Sequence, residues 1–498
     1  MKWSRILLVT VLVLISTSRI IPSLMNNAVF STDSWPLIRL TQLLVENPWI
    51  KVMSLSSRHA KWPSATLFST VFVEVSGVSI YDFYAFLGAP LVAFTLALLL
   101  YVVLGGVFEE LPRALSLLAL LVYPSFTLFT SAYLKEVYAY PLAVLTLYLS
   151  MRTYKLSRWI GVLIASIALT LSHPLTSLIV VVYSLTAIYV DFVGELKNGV
   201  EGGVVHKWSL LAAALLMSTL YTLHVFYAGP VYVFTLLDIV VLIAYTVFTY
   251  TTYLLLQGGR RGLGALALVV VLVIVIAYSG LVEGVPLGLS TIPYGLPLLL
   301  LLTGLLKPTV KNRGLTTPLL LPLCVGLLYT LTYAKWLASI THRFLNYLVY
   351  PIALSIGDLS RFKPRLAVLI TFILLLNCYM VTYNASRGGD PILFYWRYSV
   401  ADVVLKNFIE GYSNSRVLAG AKYSYMLGED LASTGLNLVT ALRSCGLTGN
   451  QLLVTSHGEL VYGVPITPLQ YIKPRLDLFK CNSVVYSSLE NYVLVDWN

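Results

Sequence analysis

Residues 83–107 read "FYAFLGAPLVAFTLALLLYVVLGGV", 25 residues without a single charge. An α-helix rises about 1.5 Å per residue, so about 20 apolar residues cross the hydrocarbon of a bilayer. This stretch is long enough, and apolar stretches like it recur along the chain. Of 498 residues, 58% are hydrophobic and 11% charged. A soluble domain carries about 25% charged residues, so the deficit marks a polytopic membrane protein. No succession of ten-residue alternating segments occurs, which argues against an outer-membrane barrel. Lys2 and Arg5 precede the first apolar run in the manner of a signal peptide. No small-residue cleavage site follows convincingly, so we read an uncleaved first helix.

Apolar runs place helices at about 6–24, 83–107, 112–130, 134–152, 158–172, 174–190, 209–227, 231–256, 263–282, 289–306, 316–337, 344–357 and 365–383. That is about thirteen transmembrane helices. Basic residues recur in alternate connections: Lys2 and Arg5; Arg113; Arg152, Lys155 and Arg158; Lys197 and Lys207; Arg260 and Arg261; Lys307, Lys311 and Arg313; Arg361, Lys363 and Arg365. The positive-inside rule assigns all seven groups to the cytoplasm. It also accounts for the net charge of +11 without a nucleic-acid partner. The amino terminus is then inside, and everything after Tyr383 outside, in a multi-pass protein of the plasma membrane.

Between the first two spans lies a long outer loop, residues 25–82. Its apolar segment Ser64 to Val78 is too short and interrupted to span comfortably, and a crossing there would invert the charge pattern downstream. It reads as an interfacial helix on the outer surface. The membrane domain thus covers residues 1–383. The tail, 384–498, differs in texture. Helix-like "VADVVLKNFIEGY" precedes strand-like "RVLAGAKYSY", and helix-like "LNLVTALRSCG" precedes "QLLVTSHG" and "SVVYSS". This alternation predicts a small extracytoplasmic α/β domain. Cys445 and Cys481 in the tail can pair if it is extracellular, though spacing does not decide it. No Walker loop, GxSxG, HExxH or zinc-type Cys/His spacing occurs.

The topology gathers polar residues on the outer side. The first loop reads "NNAVFSTDSWPLIRLTQLLVENPW" from Asn26 to Trp49, with Asp33 beside Trp35 and Arg39. Asp33 has two readings, a turn or N-cap residue and half of a catalytic site. Lys135 and Glu136 in "SAYLKEVYAYPL" open the fourth span, where an acid also suits the helix dipole. His173 in "LSHPLTS" precedes Pro174 at a helix start, where capping is the simpler reading. His342 and Arg343 in "ITHRFLNYLVYP" lie at the outer end of the twelfth span. An arginine there runs against the charge bias, and its planar fork suits phosphate.

These pieces resemble the GT-C superfamily of membrane glycosyltransferases, over residues 1–383. The closest resemblance is to the catalytic subunit of oligosaccharyltransferase, in "TDSWPLIRLTQLLVENP", where an acid of the first outer loop is followed by an aromatic, an arginine and a threonine. "KWPSATLFSTVFVEVSGVS" resembles the juxtamembrane part of that loop. "SAYLKEVYAYPL" occupies the place of the second acidic motif, and "HRFLNYLVYP" resembles the late-helix arginine segment that contacts lipid phosphate. The sequence departs in lacking WWDYG and in having Lys-Glu where two acids are usual. Sequon recognition and a firmly bound metal are therefore not implied.

The resemblance implies sugar transfer from a polyprenyl-phosphate donor to a protein, lipid or glycan acceptor on the outer face. Asp33 and Glu136 would be catalytic. Arg343, Lys135, His173, Arg39 and His342 would bind substrate. Asp33 and Glu136 are the pair that would hold a divalent ion, Mg2+ or Mn2+, if one is used. Two other classes compete: a lipid or glycolipid transporter, which needs ionisable groups near mid-membrane, and a non-catalytic scaffold. Asp238 is the one acid whose position favours the transporter.

Overall fold

The computed structural model describes residues 2–55, 59–152, 156–198, 207–229, 235–256, 264–272, 292–305, 310–334, 338–390, 393–412, 417–428, 431–434, 436–444, 447, 452–467, 470–474, 482–488 and 490–496. Among them the protein is mostly helical, with a small sheet near the carboxyl end.

Among the described residues, seven helices are long and apolar enough to cross a membrane: Ile6–Asn26, Ile80–Leu104, Pro174–Val193, Trp208–Ala228, Leu236–Leu255, Gly314–Tyr333 and Pro364–Ser386. Most other expected spans are helical but shorter or broken. The expected span at 112–130 is three short helices, Glu110–Leu117, Ala119–Val122 and Pro124–Phe129. Pro124 follows an extended Tyr123, as the restriction on residues before proline requires. The span expected at 134–152 is the 16-residue helix Lys135–Ser150. That at 344–357 becomes Ala338–Tyr347 followed by Val349–Phe362. Most of the expected 263–282 span lies outside the described residues, as do Cys445 and Cys481.

One helix shows how burial sorts its faces. Pro364–Ser386 buries Ala367, Thr371, Leu374, Cys378 and Val381, three to four residues apart, and exposes Leu369, Phe372, Ile373, Leu376 and Met380. That pattern puts a seam of smaller side chains against the bundle and a broad apolar face outward, where lipid would lie. The first apolar helix breaks at Arg19 and Ile20, between Lys2–Ser18 and Ile21–Asn26. Arg19 is buried there, and its Nη2 donates to the Leu120 carbonyl.

The 25–82 loop is well built. Helix Ser34–Glu46 packs on helix Ser64–Ser76, and a buried hydroxyl triad joins both to the helix at 80–104. In it Thr41 Oγ1 is 2.9 Å from both Ser69 Oγ and Tyr84 Oη, and Ser69 Oγ is 3.0 Å from Tyr84 Oη. Helix Ser64–Ser76 turns Leu67, Val71 and Val75 outward, four residues apart on one face. An amphipathic helix at an interface has this geometry.

Among the described residues seven strands follow: β1 Val417–Ala419, β2 Ala432–Ser433, β3 Leu452–Ser456, β4 Val464–Thr467, β5 Gln470–Ile472, β6 Asn482–Ser487 and β7 Asn491–Asp496. The main sheet runs β2-β1-β3-β7-β6; β4 and β5 form a separate hairpin. β1 is parallel to β2 and β3, while β7 is antiparallel to β3 and β6. The expected helix "VADVVLKNFIEGY" is present as Val400–Tyr412. The expected strand "RVLAGAKYSY" is not: only Val417–Ala419 is extended, and Ala421–Leu427 is helical. Gly420 marks the change. A Cβ there would lie 2.6 Å from both Glu459 Oε1 and Val464 Cγ1, so the chain turns where no side chain fits. One apolar core runs from Val11 and Ile15 of the first helix through Tyr398 and Leu405 to Val417 and Val493 of the sheet.

Candidate active site

The first loop delivers Asp33 in an unusual way. Ser31 has φ +86°, a left-handed backbone that non-glycine residues seldom adopt. Its N–H donates to the Trp396 carbonyl at 2.8 Å, and its Oγ accepts the Asp33 N–H at 3.3 Å. Asp33 stands at the N-cap of helix Ser34–Glu46, yet its side chain makes no capping bond. The helix therefore does not occupy the carboxylate. Trp35 is buried, edge-on to the Tyr398 ring with centroids 5.4 Å apart.

Arg39 faces the tail domain. Its Nη1 donates to the carbonyls of Tyr425 and Met426, at 2.6 and 2.8 Å. These are terminal carbonyls of helix Ala421–Leu427, where a cation offsets the negative end of the helix. Gly428, with φ +93°, lets the chain pass close to the Arg39 guanidinium.

Glu136, His173 and Arg343 meet. Glu136 Oε2 lies 3.5 Å from Arg343 Nε and 3.6 Å from His173 Nε2. Arg343 Nη1 is 3.1 Å from the same His173 nitrogen. Tyr140 Oη donates to Glu136 Oε1 at 2.9 Å. On its other side, His173 Nδ1 is 2.9 Å from Thr176 Oγ1, which is 2.7 Å from Tyr347 Oη. Burial holds the His173 imidazole well below its ordinary pKa, and the charges of Arg343 and Lys135 push the same way. The ring is neutral near pH 7.

Lys135 links this cluster to the first loop, since it interacts electrostatically with Arg343 and, with opposite sign, with Asp33. Glu136 also senses the Asp33 charge. Residues 33, 135, 136, 173 and 343, separated by up to 310 positions, thus share one neighbourhood. His342 is on the helix with Arg343, but its side chain lies outside the described residues.

Several participants were not legible in advance. His59 of the first loop is held neutral by burial and by the charges of Lys135, Arg39 and Arg343. Tyr140 reads in sequence as an interfacial aromatic, but its hydroxyl serves Glu136. Thr176 and Tyr347 carry no sequence signal at all; only the packing of helices Pro174–Asn198 and Ala338–Tyr347 joins them.

The residues present do not fit a divalent metal. Glu136 Oε2 faces a guanidinium and an imidazole, and Lys135 is near Asp33. Among the described residues no three His, Cys, Asp or Glu side chains come together as ligands. A neighbourhood rich in cations suits an anion instead. Asp238, the acid that favours a transporter, is a helix cap: Thr235 and Asp238 form a reciprocal capping box, and Tyr329 Oη donates to Asp238 Oδ1 at 2.7 Å.

Comparison with known proteins finds no family model that matches the chain and no matching curated sequence.

Proposed function

We propose that the protein is a membrane glycosyltransferase of GT-C type, moving a sugar from a polyprenyl-phosphate donor to an acceptor at the outer face. One observation carries this reading. An uncapped carboxylate, Asp33, is within electrostatic reach of the Lys135 amine, and Lys135 in turn of Arg343, where loop 25–82 meets the helix ends. A base and an anion clamp are the two parts that such a transfer needs.

Asp33 takes the proton from the acceptor hydroxyl as its oxygen attacks the anomeric carbon. The bond from that carbon to the phosphate oxygen breaks, and the configuration inverts. Arg343 and Lys135 hold the leaving phosphate and stabilise its growing charge. No step needs a metal or a nucleotide. The accompanying topology has thirteen spans, with the amino terminus cytoplasmic and the tail domain outside the plasma membrane. The capping box gives Asp238 a structural task, which supports the transferase reading over a transporter.

Purified protein is incubated with polyprenyl-phosphate sugars and candidate acceptors, beside Asp33→Asn. Loss of the base is expected to lower transfer by about 100-fold or more. Transfer unaffected by the change would remove Asp33 from the mechanism and leave the proposal without its carrying observation.

A further inference from the structure

We infer that Glu136 and His173 act only through Arg343: they hold its guanidinium in place, and neither touches substrate. This rests on the reading that Arg343 grips the donor phosphate. Exposure separates the roles. The side chains of Glu136 and His173 are 2% and 4% exposed, while that of Arg343 is 27% exposed. The acid and the imidazole lie behind the arginine, and the arginine faces out.

Protons fix what His173 can do. Arginine only donates, so across the 3.1 Å contact His173 Nε2 must present its lone pair. A neutral imidazole has one such nitrogen, and the ring proton is therefore on Nδ1, donated to Thr176 Oγ1 at 2.9 Å. The Thr176 amide N–H also points at Nδ1, at the longer 3.3 Å, and would favour the other tautomer; the shorter contact, made by a charged donor, outweighs it. The opposite tautomer would set two donors against each other at Arg343. The lone pair is thus committed to arginine, and His173 is no base for the acceptor.

Glu136 supplies the matching charge. Tyr140 holds its Oε1, while Oε2 makes no hydrogen bond of ordinary geometry and faces Arg343 Nε. The two arms close on each other, because the Tyr140 and Tyr347 rings meet edge to face at 5.4 Å and 89°. Tyr347 is one turn beyond Arg343 on the same helix. Thr176 therefore ties His173 to the helix that carries the arginine.

The test is equilibrium binding of farnesyl phosphate to the full-length protein in detergent, as a double-mutant cycle. Arg343→Ala, His173→Phe and Glu136→Gln are each expected to weaken binding, Arg343→Ala by about tenfold or more. In the Arg343→Ala background the other two changes should have no further effect. His173→Gln, whose amide oxygen reaches the place of Nε2, should restore most of the affinity lost in His173→Phe. Equal losses from His173→Phe with and without Arg343 would overturn the inference, since His173 would then contact the phosphate itself. So would full affinity in His173→Phe, or no recovery with His173→Gln. Unchanged binding in Arg343→Ala would defeat the underlying phosphate reading and the inference with it, a pattern distinct from additivity.

Discussion

Glu459 makes the tail domain pH-sensitive in a way that can be worked out in advance. It sits in the first turn of helix His457–Tyr462, in a capping box with Ser456: the Ser456 N–H donates to Oε2 at 3.1 Å, and the Glu459 N–H to Ser456 Oγ at 3.2 Å. Oε1 is buried against Gly420 and makes no hydrogen bond of ordinary geometry. Burial raises the carboxyl from 4.5 to about 7, Asp402 adds to the rise, and Lys422, Ser456 and Thr455 oppose it. Between those values the folded domain binds a proton that the unfolded chain releases. Stability is therefore full below pH 4.5 and falls as pH rises through 7. At about 1.4 kcal/mol per tenfold change in proton affinity, the loss approaches about 3 kcal/mol above pH 7. Glu459→Gln keeps an acceptor for the Ser456 amide and cannot ionise. Hydrogen–deuterium exchange of β3 and β7, compared between wild type and variant at each pH, cancels the intrinsic pH effect on exchange. The two should be alike near pH 5, and the variant better protected near pH 8. A difference that does not change between pH 5 and pH 8 would refute the reasoning.

Two further outcomes follow from the contacts around the loop. Arg39→Met should free helix Ala421–Leu427 from the first loop; limited proteolysis of the tail should speed up, and transfer should fall as the Asp33 loop loses a support. Loss of a charge-assisted bond of this kind costs about 1.5–3 kcal/mol. Lys422→Met should destabilise the tail domain by about 3 kcal/mol, because it removes the charge partner of the buried Asp402 carboxylate, whose Oδ1 is 3.1 Å from Lys422 Nζ and which keeps its bonds from Ser399, Tyr423 and Asn491. Exchange of β1 and β7 measures it, and protection equal to wild type would count against a strong pair.

These contacts give the tail a mechanical place. Ser31 is tied to Trp396, Trp35 meets Tyr398, and Arg39 caps helix Ala421–Leu427. All three lie within eight residues of Asp33. The tail domain thus braces the segment that carries the candidate base. Arg39 is part of that brace, whereas the family resemblance implies substrate binding.

The sequence by itself determined the class of protein. Uncharged runs such as residues 83–107 leave the backbone no polar partners in lipid but its own, so helices are dictated locally. The amphipathic stripe on Ser64–Ser76 and the helix Val400–Tyr412 were legible for the same reason: their periodicity is a property of neighbouring residues. Tertiary structure decided what periodicity does not encode. It broke 112–130 into three helices, turned half of "RVLAGAKYSY" into helix beside Gly420, and sent Arg39 to the tail. It also joined Glu136, His173, Thr176, Arg343 and Tyr347, which no local rule connects. A hydrogen bond between residues 170 positions apart depends on how three helices pack, and that is settled by the whole buried surface.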